Sequence, residues 1–240
     1  MRRLRIGLRL AAMVAWLIAC IPGHLVTHTL FRRRVVPPIF LAGIAFIIGV
    51  RLTKTGTLAR PRAILLANHV SWLDIPILAA ATGAAFVAHD GLAGSRFLKW
   101  LCEINDTVFI ARTRRTTVAK QVEQVRAALD DAHVLTLFPE GTTNDGTALL
   151  PLKSSLLSAI DPPPPDVQVQ PVYLDYGHDA RDIAWFGDEP GLDNFLRILA
   201  RPGEIPVTVH FLPALEGEDL SGRKRIAEAT RRSLSAVMPA

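Results

Sequence analysis

Two apolar runs occupy the first fifty residues, 10–21 and 35–50. Basic residues bracket both: Arg2, Arg3, Arg5 and Arg9 ahead of the first, Arg32, Arg33 and Arg34 between them, Arg51 and Lys54 behind the second. Runs of this kind end up in a bilayer or in the interior of a large core. Lysine and arginine beside membrane segments stay on the cytoplasmic side, so all three flanks prefer that side. A cleaved leader does not fit, because no small-x-small site follows the first run and a second run begins soon after. The bulky Ile21 after Cys20 argues against a lipoprotein site. The second run is shorter than the roughly 20 residues a perpendicular crossing needs. The first reaches that length only by including His24, Thr27 and His28. These features predict a helical hairpin dipping into one leaflet, with one crossing plus a buried helix as the alternative.

The chain has 240 residues, half of them hydrophobic, and a net charge of +5. A chain this basic suits either nucleic acid or an anionic membrane surface. Aromatics are only 7%, and neither a glycine-punctuated aromatic strand motif nor a paired Cys/His finger accompanies the charge. The expected partner is therefore the bilayer and not nucleic acid. Cys20 and Cys102 make neither a disulfide framework nor a thiolate metal cluster. His24 and His28 stand four apart with no third ligand in view, so they read as interfacial histidines and no metal is expected.

After Gly56 the texture changes to short apolar strands alternating with helical patterns. Strands are expected at 63–67, 85–88, 107–110, 134–138, 167–174 and 206–212. Helices are expected from Ile75, over 116–131, over 153–160 and over 220–237. Val118, Val122, Val125 and Leu129 make one stripe at helical spacing, and the prolines at 162–165 end the segment before them. Alternation of this kind implies an α/β fold, with a mixed, mostly buried sheet flanked by helices. The domain reading is a membrane-associated hairpin over 1–55 and an α/β domain over 56–240.

Three clusters are candidates for chemistry. In Asn68-His69-Val70-Ser71-Trp72-Leu73-Asp74, His69 and Asp74 stand five apart. On one regular helix they would diverge by about 140°, so they meet only if the chain bends between strand and helix. A carboxylate on one imidazole nitrogen fixes the tautomer and leaves the other nitrogen to accept a proton, as a general base for a hydroxyl. The second cluster, Phe138-Pro139-Glu140-Gly141-Thr142-Thr143, is a turn at the carboxyl edge of a strand, where ligands bind in open α/β folds. There Glu140 is a candidate to accept an acceptor's hydroxyls, and Gly141 lets backbone approach closely. The third is Arg112, delivered by 108–110 and followed by Arg114 and Arg115, whose planar fork suits a phosphate or carboxylate.

Together and in this order the clusters resemble the lysophosphatidate acyltransferase family (1-acylglycerol-3-phosphate O-acyltransferases). Residues 68–74 match its first block, 109–112 its second and 138–142 its third, while Val169-Gln170-Pro171-Val172 is similar to its fourth. The resemblance implies that His69, oriented by Asp74, activates the free hydroxyl of a lysolipid for direct attack on the thioester of acyl-CoA or acyl-carrier protein. It implies no cofactor beyond that donor substrate, and an acceptor site of Arg112, Glu140, Gly141 and Thr142. It further implies residence at the cytoplasmic (inner) membrane with the active site facing the cytoplasm.

Two departures bear on the acceptor. Thr143 stands where members acting on lysophosphatidate commonly carry arginine, and Asn105-Asp106-Thr107 stands where a glycine is usual. Lys153 is a candidate to compensate. Lysophosphatidate, giving phosphatidic acid, is the acceptor implied first. Residues 142–157 also look like bacterial relatives that acylate lyso-ornithine lipid, which has a zwitterionic head group and no phosphate. A serine hydrolase would need a Gly-x-Ser-x-Gly elbow, which the sequence lacks. A non-catalytic membrane adaptor is the alternative from another class.

Overall fold

The computed structural model describes residues 1–31, 35–89, 108–110 and 118–239. Helix α1 (Arg2–Phe31) and helix α2 (Val36–Ile48) precede strand β1 (Val50–Thr55) and strand β2 (Ala63–Ala67). Helix α3 (Asp74–Thr82), β3 (Ala85–His89), β4 (Val108–Ile110) and helix α4 (Val118–Ala132) follow. Then come β5 (Val134–Leu137), a 3-10 segment (Ser154–Ile160), β6 (Gln168–Asp175), helix α5 (Gly191–Ala200), β7 (Ile205–Phe211) and helix α6 (Arg223–Ser235). The seven strands form one sheet in the order β1-β7-β6-β2-β5-β3-β4. β7 runs antiparallel to β6, and the other neighbouring pairs are parallel. The sheet is mixed and helix-flanked, as the strand–helix alternation implies.

Strand β2 sits between β5 and β6 and all five of its residues are buried, which is why its sequence is apolar throughout rather than alternating. Successive side chains leave a strand on opposite faces. Ala63, Leu65 and Ala67 join a core with Ile77 and Leu78 of α3, Ile198 of α5 and Phe40 of α2. Ile64 and Leu66 join the opposite layer with Val125 and Leu129 of α4, Leu157 and Ile226. Pro76 falls in the first turn of α3, where no backbone donor is lost. The helix stops at Gly83, whose left-handed φ of +73° turns its N–H onto the Ala79 carbonyl.

Helix α1 has 30 residues, about 45 Å at 1.5 Å per residue, and is long and apolar enough to cross a bilayer. Its side chains Leu4, Leu8, Val14, Ile18, Leu25 and Leu30 point outward, exposed. The 13 residues of α2 span only about 20 Å, less than the roughly 30 Å hydrocarbon core. The two helices touch closely: the Trp16 indole N–H donates to the Phe40 carbonyl at 3.1 Å, and a Cβ on Gly43 would lie 2.0 Å from Trp16 Nε1. Arginines tie α1 to the body. The Arg5 guanidinium donates to the Ala200 carbonyl at 2.6 Å, and Arg9 donates to the carbonyls of Leu199 and Arg201 at 3.0 Å each. These are carbonyls at the C-terminal end of α5, where a cation meets the negative pole of the helix.

Strand β1 was not expected from the sequence, which assigns its residues to the flank of the hairpin. Here it is the sheet edge, paired in parallel with β7. Its Arg51 bonds Glu204 at 2.8 Å, and Lys54 donates to the Ala81 carbonyl at 2.6 Å. Two of the flanking cations thus have partners within the protein.

Candidate active site

At the end of β2, Asn68 prolongs the ladder with its side chain. Its amide nitrogen donates to the Leu174 carbonyl at 3.1 Å, and its amide oxygen accepts the Leu174 N–H at 2.7 Å. The backbone then leaves the sheet and turns, with the Asp74 N–H donating to the Ser71 carbonyl at 3.1 Å. This bend swings Asp74, the first residue of α3, back toward the strand end.

Asp74 is wholly buried. Its Oδ2 accepts the main-chain N–H groups of Val70 at 2.7 Å and Ser71 at 3.0 Å, and stands 2.8 Å from Nδ1 of His69. Its Oδ1 accepts the hydroxyl of Tyr176 at 2.5 Å. Backbone amides can only donate, so Asp74 is held as an acceptor and the proton between it and His69 belongs to Nδ1. Nε2 of the neutral ring is then the basic nitrogen. Among the described residues nothing bonds to it. The His69 side chain is 17% exposed, enough for a reactant to reach it. One ring face stacks on Phe138, with centroids 4.0 Å apart and planes at 17°, and Phe138 stacks in turn on Phe86.

The turn after β5 grips the main chain of the same histidine. Glu140, wholly buried, accepts the His69 N–H at 2.9 Å on Oε1. Its Oε2 accepts from the Asn144 side-chain amide at 2.7 Å and from the Leu150 N–H at 2.9 Å. The Asn144 N–H donates to the His69 carbonyl at 3.0 Å. Burial pushes the Glu140 carboxyl above the usual carboxylate range, and the hydrogen bonds from Asn144, Leu150 and His69 oppose that shift. Its oxygens are therefore engaged by the protein's own donors, in contrast to the expectation that they receive an acceptor's hydroxyls.

Gly141 has a φ of +69°, and a Cβ there would lie 2.9 Å from Leu156 Cδ1 and 3.2 Å from Lys153 Nζ. Only glycine takes that conformation without strain and admits the lysine so closely. The Lys153 N–H donates to the Pro139 carbonyl at 2.8 Å, which brings Lys153, an exposed residue, over the same turn. Thr142 is exposed beside them. The fold thus gathers His69, Asp74, Glu140, Gly141, Thr142 and Lys153 at the carboxyl ends of β2 and β5. Arg112 lies outside the described residues, as do Cys102, Arg114 and Arg115.

Sequence reasoning missed Tyr176 and Asn144. Nothing local marks Tyr176, which meets Asp74 across 102 residues. Asn144 had a faint signal, a side chain able to cap a turn two residues on, which it does by accepting the Gly146 N–H.

Comparison with known proteins identifies the family and the fold. A family model described as Acyltransferase matches residues 49–175. The lyso-ornithine lipid O-acyltransferase of Rhodobacter capsulatus is 32% identical over 251 aligned positions, covering 98% of this chain and 90% of that protein. The 1-acyl-sn-glycerol-3-phosphate acyltransferase of Neisseria gonorrhoeae is 28% identical, covering 74% of this chain and 70% of its own. The fold is shared with the crystal structure of the 1-acyl-sn-glycerophosphate acyltransferase PlsC from Thermotoga maritima. The TM-score is 0.60 and the identity 19%, across 100% of this chain and 99% of that one. The family match spans more than half of the sequence and includes both His69 and Asp74, and this chain belongs to the acyltransferase family.

Proposed function

We propose that this protein moves a fatty acyl group from a thioester to the free hydroxyl of a lysolipid, with His69 as general base. The observation that carries the reading is the bonded pair itself: Nδ1 of His69 lies 2.8 Å from a buried Asp74 carboxylate, which leaves Nε2 to take a proton. As the acceptor's oxygen attacks the thioester carbonyl, its proton passes to Nε2, and the buried carboxylate stabilises the resulting imidazolium. The tetrahedral intermediate collapses with cleavage of the C–S bond. The departing thiolate takes the proton back from Nε2, leaving an ester, a free thiol and an unchanged enzyme. General-base help of this kind is worth about 10²- to 10⁴-fold in rate.

Gly141, Thr142 and Lys153 border the acceptor, with Arg112 assigned to its anionic group. Glu140 serves differently from the sequence expectation, by holding the histidine's main chain. Acyl-CoA or acyl-carrier protein is the donor. Helix α1 lies in the cytoplasmic membrane and keeps the site facing the cytoplasm, at the surface where lysolipid resides.

For the acceptor we favour lyso-ornithine lipid over lysophosphatidate. The R. capsulatus relative aligns along almost the whole chain, and Thr143 supplies no charge for a phosphate monoester. Lysophosphatidate stays the second reading because of the Neisseria relative and because Lys153 lies over the turn. The test offers membranes carrying the protein one acyl donor with lyso-ornithine lipid, lysophosphatidate and lysophosphatidylcholine in parallel, and identifies products by mass. Transfer to lyso-ornithine lipid alone supports the first reading. Transfer to none of the three overturns both.

A further inference from the structure

We infer that Tyr176 is a positioning residue that sets the basicity of His69 through Asp74. The inference rests on the proposed role of His69 as base and goes beyond it. Tyr176 stands one residue past the family match at 49–175, just after β6 ends at Asp175. Its hydroxyl donates to Asp74 Oδ1 at 2.5 Å, the oxygen on the side away from His69, and both side chains are buried. Burial and the neighbouring Asp74 carboxylate push the Tyr176 phenol well above its ordinary value. It therefore remains a proton donor across the working range of pH.

A carboxylate has a fixed amount of negative charge to share between its oxygens. Each donor on Asp74 draws charge toward itself and away from the imidazolium that forms at Nδ1. The amides of Val70 and Ser71 act on Oδ2, the oxygen His69 uses, and Tyr176 alone among the described residues acts on Oδ1. Its donation thereby reduces the negative charge that Asp74 presents to the imidazolium forming on His69 during the reaction. It also fixes the rotation of the carboxylate, because both oxygens are then tied.

Among the described residues, few titratable groups face the pair. Glu140 faces His69 from the turn after β5, with its oxygens on the His69 and Leu150 N–H groups and the Asn144 side-chain amide. Asp175, His178 and Arg181 line a cleft that Tyr176 and Val70 also border, and none of them bonds to Asp74. Tyr173, within β6, serves as a natural control, since the chain has only two tyrosines.

The experiment measures the pH dependence of kcat/KM for the full chain in membranes, with the acceptor that the wild type turns over. The variants are Tyr176→Phe, Tyr173→Phe and His69→Ala. Loss of the Tyr176 donor is expected to move the acidic limb upward by about half a unit to one unit, with the acceptor's KM unchanged. Tyr173→Phe is expected to leave the limb where it is. A second measurement guards against a Tyr176→Phe variant that does not fold. In the Tyr173→Phe background, 3-fluorotyrosine is incorporated at the one remaining tyrosine, whose stronger donor should move the limb downward. Limbs coinciding with the wild type in both the phenylalanine and the fluorinated proteins would overturn the role of Tyr176. An active His69→Ala protein, or a wild type with no acidic limb, would instead overturn His69 as the base.

Discussion

The carboxylate of Glu140 accepts the main-chain N–H of His69 at 2.9 Å, across 71 residues of sequence. The histidine is thereby held at three points: its amide by Glu140, its carbonyl by Asn144 and its ring by Asp74. A base must be held to within fractions of an ångström to profit from proximity. Glu140→Gln puts a donating NH₂ group among donors, and is expected to lower kcat about 10- to 100-fold with the acceptor's KM within about two-fold. Steady-state kinetics decides the matter. A raised KM at full kcat would return Glu140 to the acceptor site.

Removing the Glu140 carboxylate altogether leaves three donors without an acceptor, one of them buried and two partly buried. Each such orphan costs about 1–3 kcal/mol. Glu140→Ala is therefore expected to lose at least about 2 kcal/mol of stability, read as a lower midpoint of thermal unfolding in detergent. An unchanged midpoint would mean that the turn relaxes and finds other acceptors.

His69→Ala should abolish transfer while the protein still sediments with membranes, because α1 and α2 are untouched. Asp74→Asn should lower kcat by about 10³- to 10⁴-fold. A carboxamide has only one acceptor oxygen for the donors of Val70, Ser71 and Tyr176, and no charge to stabilise the imidazolium. Product formation within ten-fold of wild type by either protein would refute the base mechanism.

Arg9 connects helix α1 to the α/β body through the carbonyls at the end of α5. Arg9→Ala is expected to cost about 1–3 kcal/mol, and to raise the KM for a bilayer-embedded acceptor more than for a short-chain soluble one. Comparing the two acceptors separates docking from chemistry. Equal effects on both would mean that Arg9 acts on the body alone.

Gly43 leaves room for the Trp16 indole, since a Cβ there would come within 2.0 Å of its nitrogen. Gly43→Ala forces the indole out and breaks its bond to the Phe40 carbonyl, with an expected loss of about 1–3 kcal/mol. Trp16→Ala in the same chain should recover part of that loss. A double-mutant cycle on thermal unfolding measures the coupling, and strict additivity would show that the two residues do not meet.

Much of this molecule is local in origin. β2 reads as a strand because Ala-Ile-Leu-Leu-Ala is apolar on both faces, and the expected bounds at 63–67 are the observed ones. The start of α3 beside Pro76 and its end at Gly83 follow from backbone stereochemistry. So does the bend joining His69 to Asp74, because the six residues between the strand end at Ala67 and the helix start at Asp74 leave few ways to turn. The 3-10 geometry of Ser154–Ile160 is tighter than the helix expected there, since i and i+3 spacing alone does not distinguish the two forms.

Other features have no local signature. Val-Arg-Leu-Thr-Lys-Thr becomes β1 only because β7, some 150 residues later, offers a parallel partner. Glu140 and Tyr176 reach the His69–Asp74 pair from either side because β5 and β6 flank β2. Strand order is set by how the layers pack, a property of the whole chain. Residue types and short-range spacing therefore singled out His69 and Asp74 as a pair that a bend would bring together. The tertiary structure decided what holds that pair in place, because those hydrogen bonds join residues that only the assembled sheet makes neighbours.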